Sequence, residues 1–375
     1  MNDTFKTLLM LCTGIMLNHF YATAQEPCTQ ASLLQMPGTW KESLPGSVSG
    51  INAADLVREK KLVSALHEMI KLKYKPMAVA ADFGGAYNRP YPNMAANSYD
   101  YRIIPLNFYC DGRAVKTEHE TSTYFQVAVN MFDAEIYDTA QGDRLLAEGF
   151  NVMPDMPVAK DGYWYFKETD ASLGFGLTGK KLMFLVTYDG KLPYAYVSRK
   201  EFLEKRKQIL TTEMAASAAG FKDALKTLEL EKKLMETTYK TDPEKLNKYL
   251  KKDYPYGKDK FEKLLAANAD NYKPEFERID MQLKMSAAEL DQPAIVKKDP
   301  KAKMDAYIFT GDEDPFGKVL IKPNPAYFNK KLSRSTPQFI WVSVIWNHKE
   351  PIAANFSAAI LKAVDITILK NMIGK

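Results

Sequence analysis

Cysteine and histidine are scarce: the 375 residues hold three of the first and four of the second. Cys12 and His19 fall in an N-terminal stretch that reads as a leader. That leaves Cys28 and Cys110, too few for a Cys-rich zinc site, and three histidines dispersed as His67, His119 and His348. No H-E-x-x-H occurs, because His67-Glu68 continues as Met-Ile-Lys, and no G-x-S-x-G occurs. Beyond the leader, no run of about twenty apolar residues is present, so no membrane span is expected in the mature chain. Charge of one sign is also lacking. The net charge of +5 is a small excess of 51 basic over 46 acidic residues, spread along the chain, which gives no concentrated basic face for nucleic acid.

The leader has Lys6, a short apolar run from Leu8 to Leu17 and the small residues Ala22-Thr23-Ala24. These are the parts of a cleavable secretory signal, so residues 1–24 are expected to be removed and Gln25 to begin the mature chain. The protein is then expected in the periplasm or secreted. In an oxidising compartment two cysteines pair, and Cys28 and Cys110 are expected to form a disulfide, which removes a thiol nucleophile.

Residues 25–197 read as an α+β domain, an antiparallel sheet with a packed helix. Asn52 can cap a helix whose apolar residues Leu56, Leu62, Val63, Leu66, Met69 and Ile70 recur at helical spacing and which ends near Tyr74, before Pro76. Strand-like runs follow at Met77 to Phe83, Tyr99 to Tyr109, Thr121 to Phe132 and Tyr163 to Phe166. The runs Leu182 to Thr187 and Leu192 to Val197 flank Asp189-Gly190 and read as a β-hairpin. Pro193, which has no N–H, requires a bulge at Gly190 or an edge strand there.

Residues 198–292 are rich in Ala, Leu, Lys and Glu and read as a helical segment that could be an insertion, opening with Ser198 as N-cap and Glu201 as its capping-box partner. Asp242-Pro243 begins another helix. Residues 199–290 hold 20 basic against 17 acidic residues, which describe a solvated helical face. Residues 293–375 read as C-terminal strands and a helix, a unit that can complete the N-terminal sheet. Phe339 to Trp346 is apolar on both faces, as an interior strand requires, and the stripe Ile352, Phe356, Ile360, Val364, Ile368 marks one helix from Pro351.

Gly174, Gly176 and Gly179 match G-x-G-x-x-G, but a polar stretch precedes them and a strand follows, where a dinucleotide fingerprint needs a strand and then a helix. No cofactor or metal is expected, and no catalytic residue can be named. The loop Asp82 to Tyr101 carries Phe83, Tyr87, Tyr91, Tyr99 and Tyr101 among glycines, asparagines and prolines. Aromatic planes on a loop can form a platform, and Tyr87, Tyr91 and Tyr99 are the candidate binding residues for an envelope saccharide, peptide or protein. The expected function is an exported, non-enzymatic binding or interaction protein of the cell envelope. The alternative is an extracellular hydrolase with a carboxylate acid and base brought together by folding.

Overall fold

The computed structural model describes residues 28–43, 48, 50–89, 96–131, 145, 149–153, 155–174, 176–302 and 306–375. The leader and Tyr91 lie outside the described residues. The fold is α+β, and the chain divides into two compact units: Met1–Asp133 with Pro157–Lys191 and Phe328–Lys375, and Ala134–Met156 with Leu192–Tyr327.

Among the described residues the first unit opens with helix α1 (Gln30–Leu34), strand β1 (Thr39–Glu42) and helix α2 (Ala53–Lys73). Asn52 caps α2 by accepting from the Asp55 N–H at 2.8 Å, and Lys71 and Lys73 face the carbonyl end of the helix dipole. Its strands are β2 (Val79–Arg89), β3 (Ser98–Asp111), β4 (Ala114–Thr117) and β5 (Tyr124–Val129). The second unit contributes β6 (Asn151–Met153), and the first resumes with β7 (Val158–Lys160), β8 (Tyr163–Tyr165), β9 (Thr169–Ser172) and β10 (Thr178–Thr187).

In the second unit follow β11 (Tyr194–Tyr196), the helices α3 (Arg199–Thr238), α4 (Pro243–Lys248), α5 (Tyr254–Gln282) and α6 (Ala287–Leu290), and the strands β12 (Ile295–Lys298), β13 (Tyr307–Phe309) and β14 (Lys318–Pro323). The first unit closes with β15 (Phe339–Trp346) and helices α7 (Pro351–Ala363) and α8 (Ile366–Met372).

In the first unit the sheet order is β1-β2-β3-β5-β15-β10-β8-β7, with β4 on β3 and β9 on β10, and among the described residues only the β1–β2 pair is parallel. All eight residues of β15 are buried, as expected for a strand apolar on both faces, and it pairs with β5 on one side and β10 on the other. Helices α2 and α7 pack on the sheet and on each other over a core that includes Leu66, Ile70, Tyr101, Phe125, Val342 and Phe356. Cys28 and Cys110 form a disulfide with Cα atoms 5.6 Å apart, tying the segment before α1 to β3.

Three expectations need correction. The hairpin around Asp189-Gly190 does not form: β10 pairs with β8, β9 and β15, whereas β11 pairs with β14 in the sheet β11-β14-β12-β13, which also carries β6 on β14. Tyr188–Gly190 is a 3-10 turn with Gly190 at φ 66°, and Pro193 lies outside the ladder that its missing N–H would interrupt. The C-terminal helix is likewise two helices bent by 57°, because Asp365 accepts from the N–H groups of Thr367 and Ile368 and so starts a new cap.

In the second unit α3 and α5 pack along each other, and Val197 and Phe202 are buried where a hydrophobic staple places them. The Ser198 hydroxyl accepts from the Glu201 N–H at 3.2 Å. The Glu201 side chain, expected to close the capping box, instead accepts from Lys322 Nζ at 2.6 Å. The cap is therefore one-sided.

Candidate functional site

Within the first unit a cleft of about 510 Å³ lies between α2 and the β1–β2 edge of the sheet. Helical periodicity supplies one wall: Lys60, Ser64, His67, Glu68 and Lys71 fall on one side of α2 at spacings of three or four. The other wall is Glu42 at the end of β1, Ser43, and the Phe83-Gly84-Gly85 run with Tyr87 on β2. Gly85 is required by packing, since a Cβ there would stand 2.9 Å from Val63 Cγ1 and 3.1 Å from the Asp100 carbonyl oxygen. Bare backbone there lets α2 come close to the sheet.

The floor is aromatic. His67, 7% exposed, lies parallel on Phe83, with ring centroids 3.7 Å apart and planes 9° from parallel. Trp40 sets its edge against both, at 5.0 Å from His67 and 5.7 Å from Phe83. His67 Nδ1 is 3.0 Å from the hydroxyl of Tyr101, a fully buried residue. Burial holds the His67 imidazole below its usual pKa, and the Lys71 ammonium adds to this while Glu68 and Glu42 oppose it. The ring is neutral at pH 7. Burial also raises the Tyr87 phenol, reinforced by the carboxylates of Glu42, Glu59 and Asp100.

A buried polar network lies on the same unit. Glu59 has no exposed surface and accepts from Ser335 Oγ at 2.7 Å, the Asn88 N–H at 3.0 Å and Asn97 Nδ2 at 3.4 Å. Asp55, one turn earlier, accepts from Ser333 Oγ at 2.6 Å. Asp100, also buried, accepts from Gln126 Nε2 at 2.8 Å and from the Ala86 N–H at 3.2 Å. Among the described residues no group of three or more His, Cys, Asp or Glu side chains could hold a metal ion.

Of the two described tyrosines among those expected to form a platform, Tyr87 lines the cleft and Tyr99 does not. Tyr99 is fully buried, and its hydroxyl donates to the Ser335 carbonyl at 2.8 Å. It is a core residue because β3 pairs on both sides there, opposite β2 and β5. Tyr91 lies outside the described residues. His67, expected as a packed residue at the core edge, is indeed buried, but it also lines the cleft. Sequence reasoning missed Glu42, Lys60, Glu68 and Lys71. The signal available was the spacing of Lys60, Ser64, His67 and Lys71, a polar stripe beside the apolar one.

No protein family, curated protein or solved structure matches this chain.

Proposed function

We propose that this is an exported, non-enzymatic binding protein of the cell envelope whose ligand occupies the cleft beside α2. The observation that carries the reading is the floor of the cleft. Its one histidine is stacked on Phe83 and bonded to a phenol, Tyr101, rather than to a serine, cysteine or carboxylate among the described residues. A ring fixed in this way is built to be contacted, and the half-buried Phe83 and Tyr87 give a ligand apolar area at little entropic cost. Export is supported by the A-x-A pattern and the short apolar run, and the Cys28–Cys110 disulfide is compatible with it. Among the described residues no single helix is long and apolar enough to cross a membrane.

The test has two parts. Intact mass of the protein recovered from its native host should begin at Gln25, and a retained Met1 would sink the export reading. Calorimetric titration with envelope glycans and peptides should show binding that Tyr87→Ala weakens, and unchanged binding would remove the cleft from the proposal. A second reading is kept open by Glu42 and Glu68, two carboxylates lining the same cleft, as a hydrolase would use. Turnover by the wild type that is lost in Glu42→Gln or Glu68→Gln would decide for it.

A further inference from the structure

The hydrogen-bond roles at the floor of the cleft can be assigned by elimination. Tyr101 has no exposed surface, and among the described residues its hydroxyl has one partner, His67 Nδ1 at 3.0 Å. A buried O–H that does not donate costs free energy, so Tyr101 donates and Nδ1 accepts. In a neutral imidazole the proton then resides on Nε2. His67 lines the cleft and makes no other hydrogen bond among the described residues, so a fixed N–H donor is what it offers a ligand.

The charge on the walls narrows the ligand further. Two lysines, Lys60 and Lys71, and two glutamates, Glu42 and Glu68, line the cleft, so with a neutral His67 it carries no net charge. A phosphorylated or polyanionic ligand calls for an excess of cations, and a polyamine for an excess of carboxylates. What fits is a ligand without net charge that presents both donors and acceptors around a flat apolar face. A pyranose ring does this: its C–H face lies against aromatic rings, and each hydroxyl both donates and accepts. The volume of about 510 Å³ falls within the range of small-ligand sites, about 300–1,000 Å³.

Resting on the binding reading above, we propose that the cleft takes a neutral saccharide, with a ring or hydroxyl oxygen accepting from His67 Nε2–H and hydroxyls donating to Glu42 and Glu68. Tyr101 borders the cleft but has no exposed surface, so it is a positioning residue that acts through His67 and fixes which nitrogen carries the proton.

The test titrates the mature chain with four probes: N-acetylglucosamine oligomers (neutral), galacturonate oligomers (anionic), glucosamine oligomers (cationic) and trialanine (zwitterionic). Binding is read by calorimetry and by nitrogen-15 shifts of the His67 ring. The neutral oligomer should bind at least about tenfold tighter than the others and should shift Nε2. Without ligand, wild-type Nδ1 should be unprotonated and Nε2 protonated. Tyr101→Phe should keep the fold, mix the two tautomers and weaken binding about three- to tenfold, the worth of one oriented hydrogen bond. A purely structural role for Tyr101 would leave the tautomer unmixed. Tighter binding of a charged or zwitterionic probe at the same ring would overturn the saccharide class and leave the binding reading standing. Hydrolysis of the neutral oligomer would do the reverse. If no probe moves the His67 signals, or if wild-type Nδ1 carries the proton, the proposal falls.

Discussion

Glu59 has no exposed surface, yet its side chain accepts no hydrogen bond from its own helix: the donors are Asn88, Asn97 and Ser335. Replacing it by alanine removes an acceptor shared by three donors in the interior, and Glu59→Ala should cost about 2–4 kcal/mol in a urea titration. Burial raises the Glu59 pKa above its usual value, and Asp55 adds to the rise while the three hydrogen bonds oppose it. A raised carboxyl contributes stability that is present below its unfolded value, about 4.3, and lost as pH rises through the folded value. Glu59→Gln carries no such loss, so its deficit against wild type should shrink between pH 4 and pH 7. A deficit that grows would contradict the assignment. Asp314 has the opposite sign. Lys297 Nζ at 2.5 Å, the Phe316 N–H and Thr310 Oγ1 hold its carboxyl down to about 2. The stability it contributes is present above about pH 4 and disappears as pH falls through about 2. Acid titration of Asp314→Asn should show a shallower loss over that window than wild type.

Elements start and stop where single side chains satisfy backbone groups. Ser198→Ala removes the acceptor for the Glu201 N–H, and with no reciprocal bond from Glu201 the expected cost is about 1 kcal/mol. An unchanged denaturation midpoint would show that α3 is held by packing alone. The same local chemistry explains which elements could be read from the sequence. Asn52, Ser198, Asp242 and Pro351 all mark helix starts in the structure, because an N-cap or an N1 proline acts within a few residues. Strand partners were not legible. Asp189-Gly190 satisfies the local rules of a hairpin, but β10 pairs along its length with β15, whose eight buried residues, seven of them apolar, cover both faces of the sheet. The cleft failed to show for a related reason. Its walls come from α2, β1 and β2, and Gly85 stands opposite Tyr101, so pairing rather than alternation separates the tyrosines: Tyr99 lies on β3 between paired strands, whereas Tyr87 lies on β2 beyond Phe83, the last residue paired with β1.

At the scale of the molecule, the Cys28–Cys110 bond spans a sequence separation of 82 residues within the first unit. A loop of that length should stabilise by roughly 4 kcal/mol in the chain-entropy model. Reduction, or Cys110→Ser, should lower the denaturant midpoint of the first unit accordingly, and a midpoint unaffected by reductant would mean the bond is absent in solution. Free thiols detected in the unfolded, unreduced protein would also show that the bond is absent.

The central position of β15 has a consequence for how the polypeptide is made. Its neighbours β5 and β10 are complete by Val129 and Thr187, whereas β15 begins at Phe339. Until the ribosome has delivered that stretch, the nascent chain holds two separate half-sheets, each ending in a strand with unpaired edge groups and buried-type side chains. Closure joins partners far apart in sequence, so folding is slow and comes late in synthesis. During that interval a holding chaperone would find its binding surface on the β5 and β10 edges.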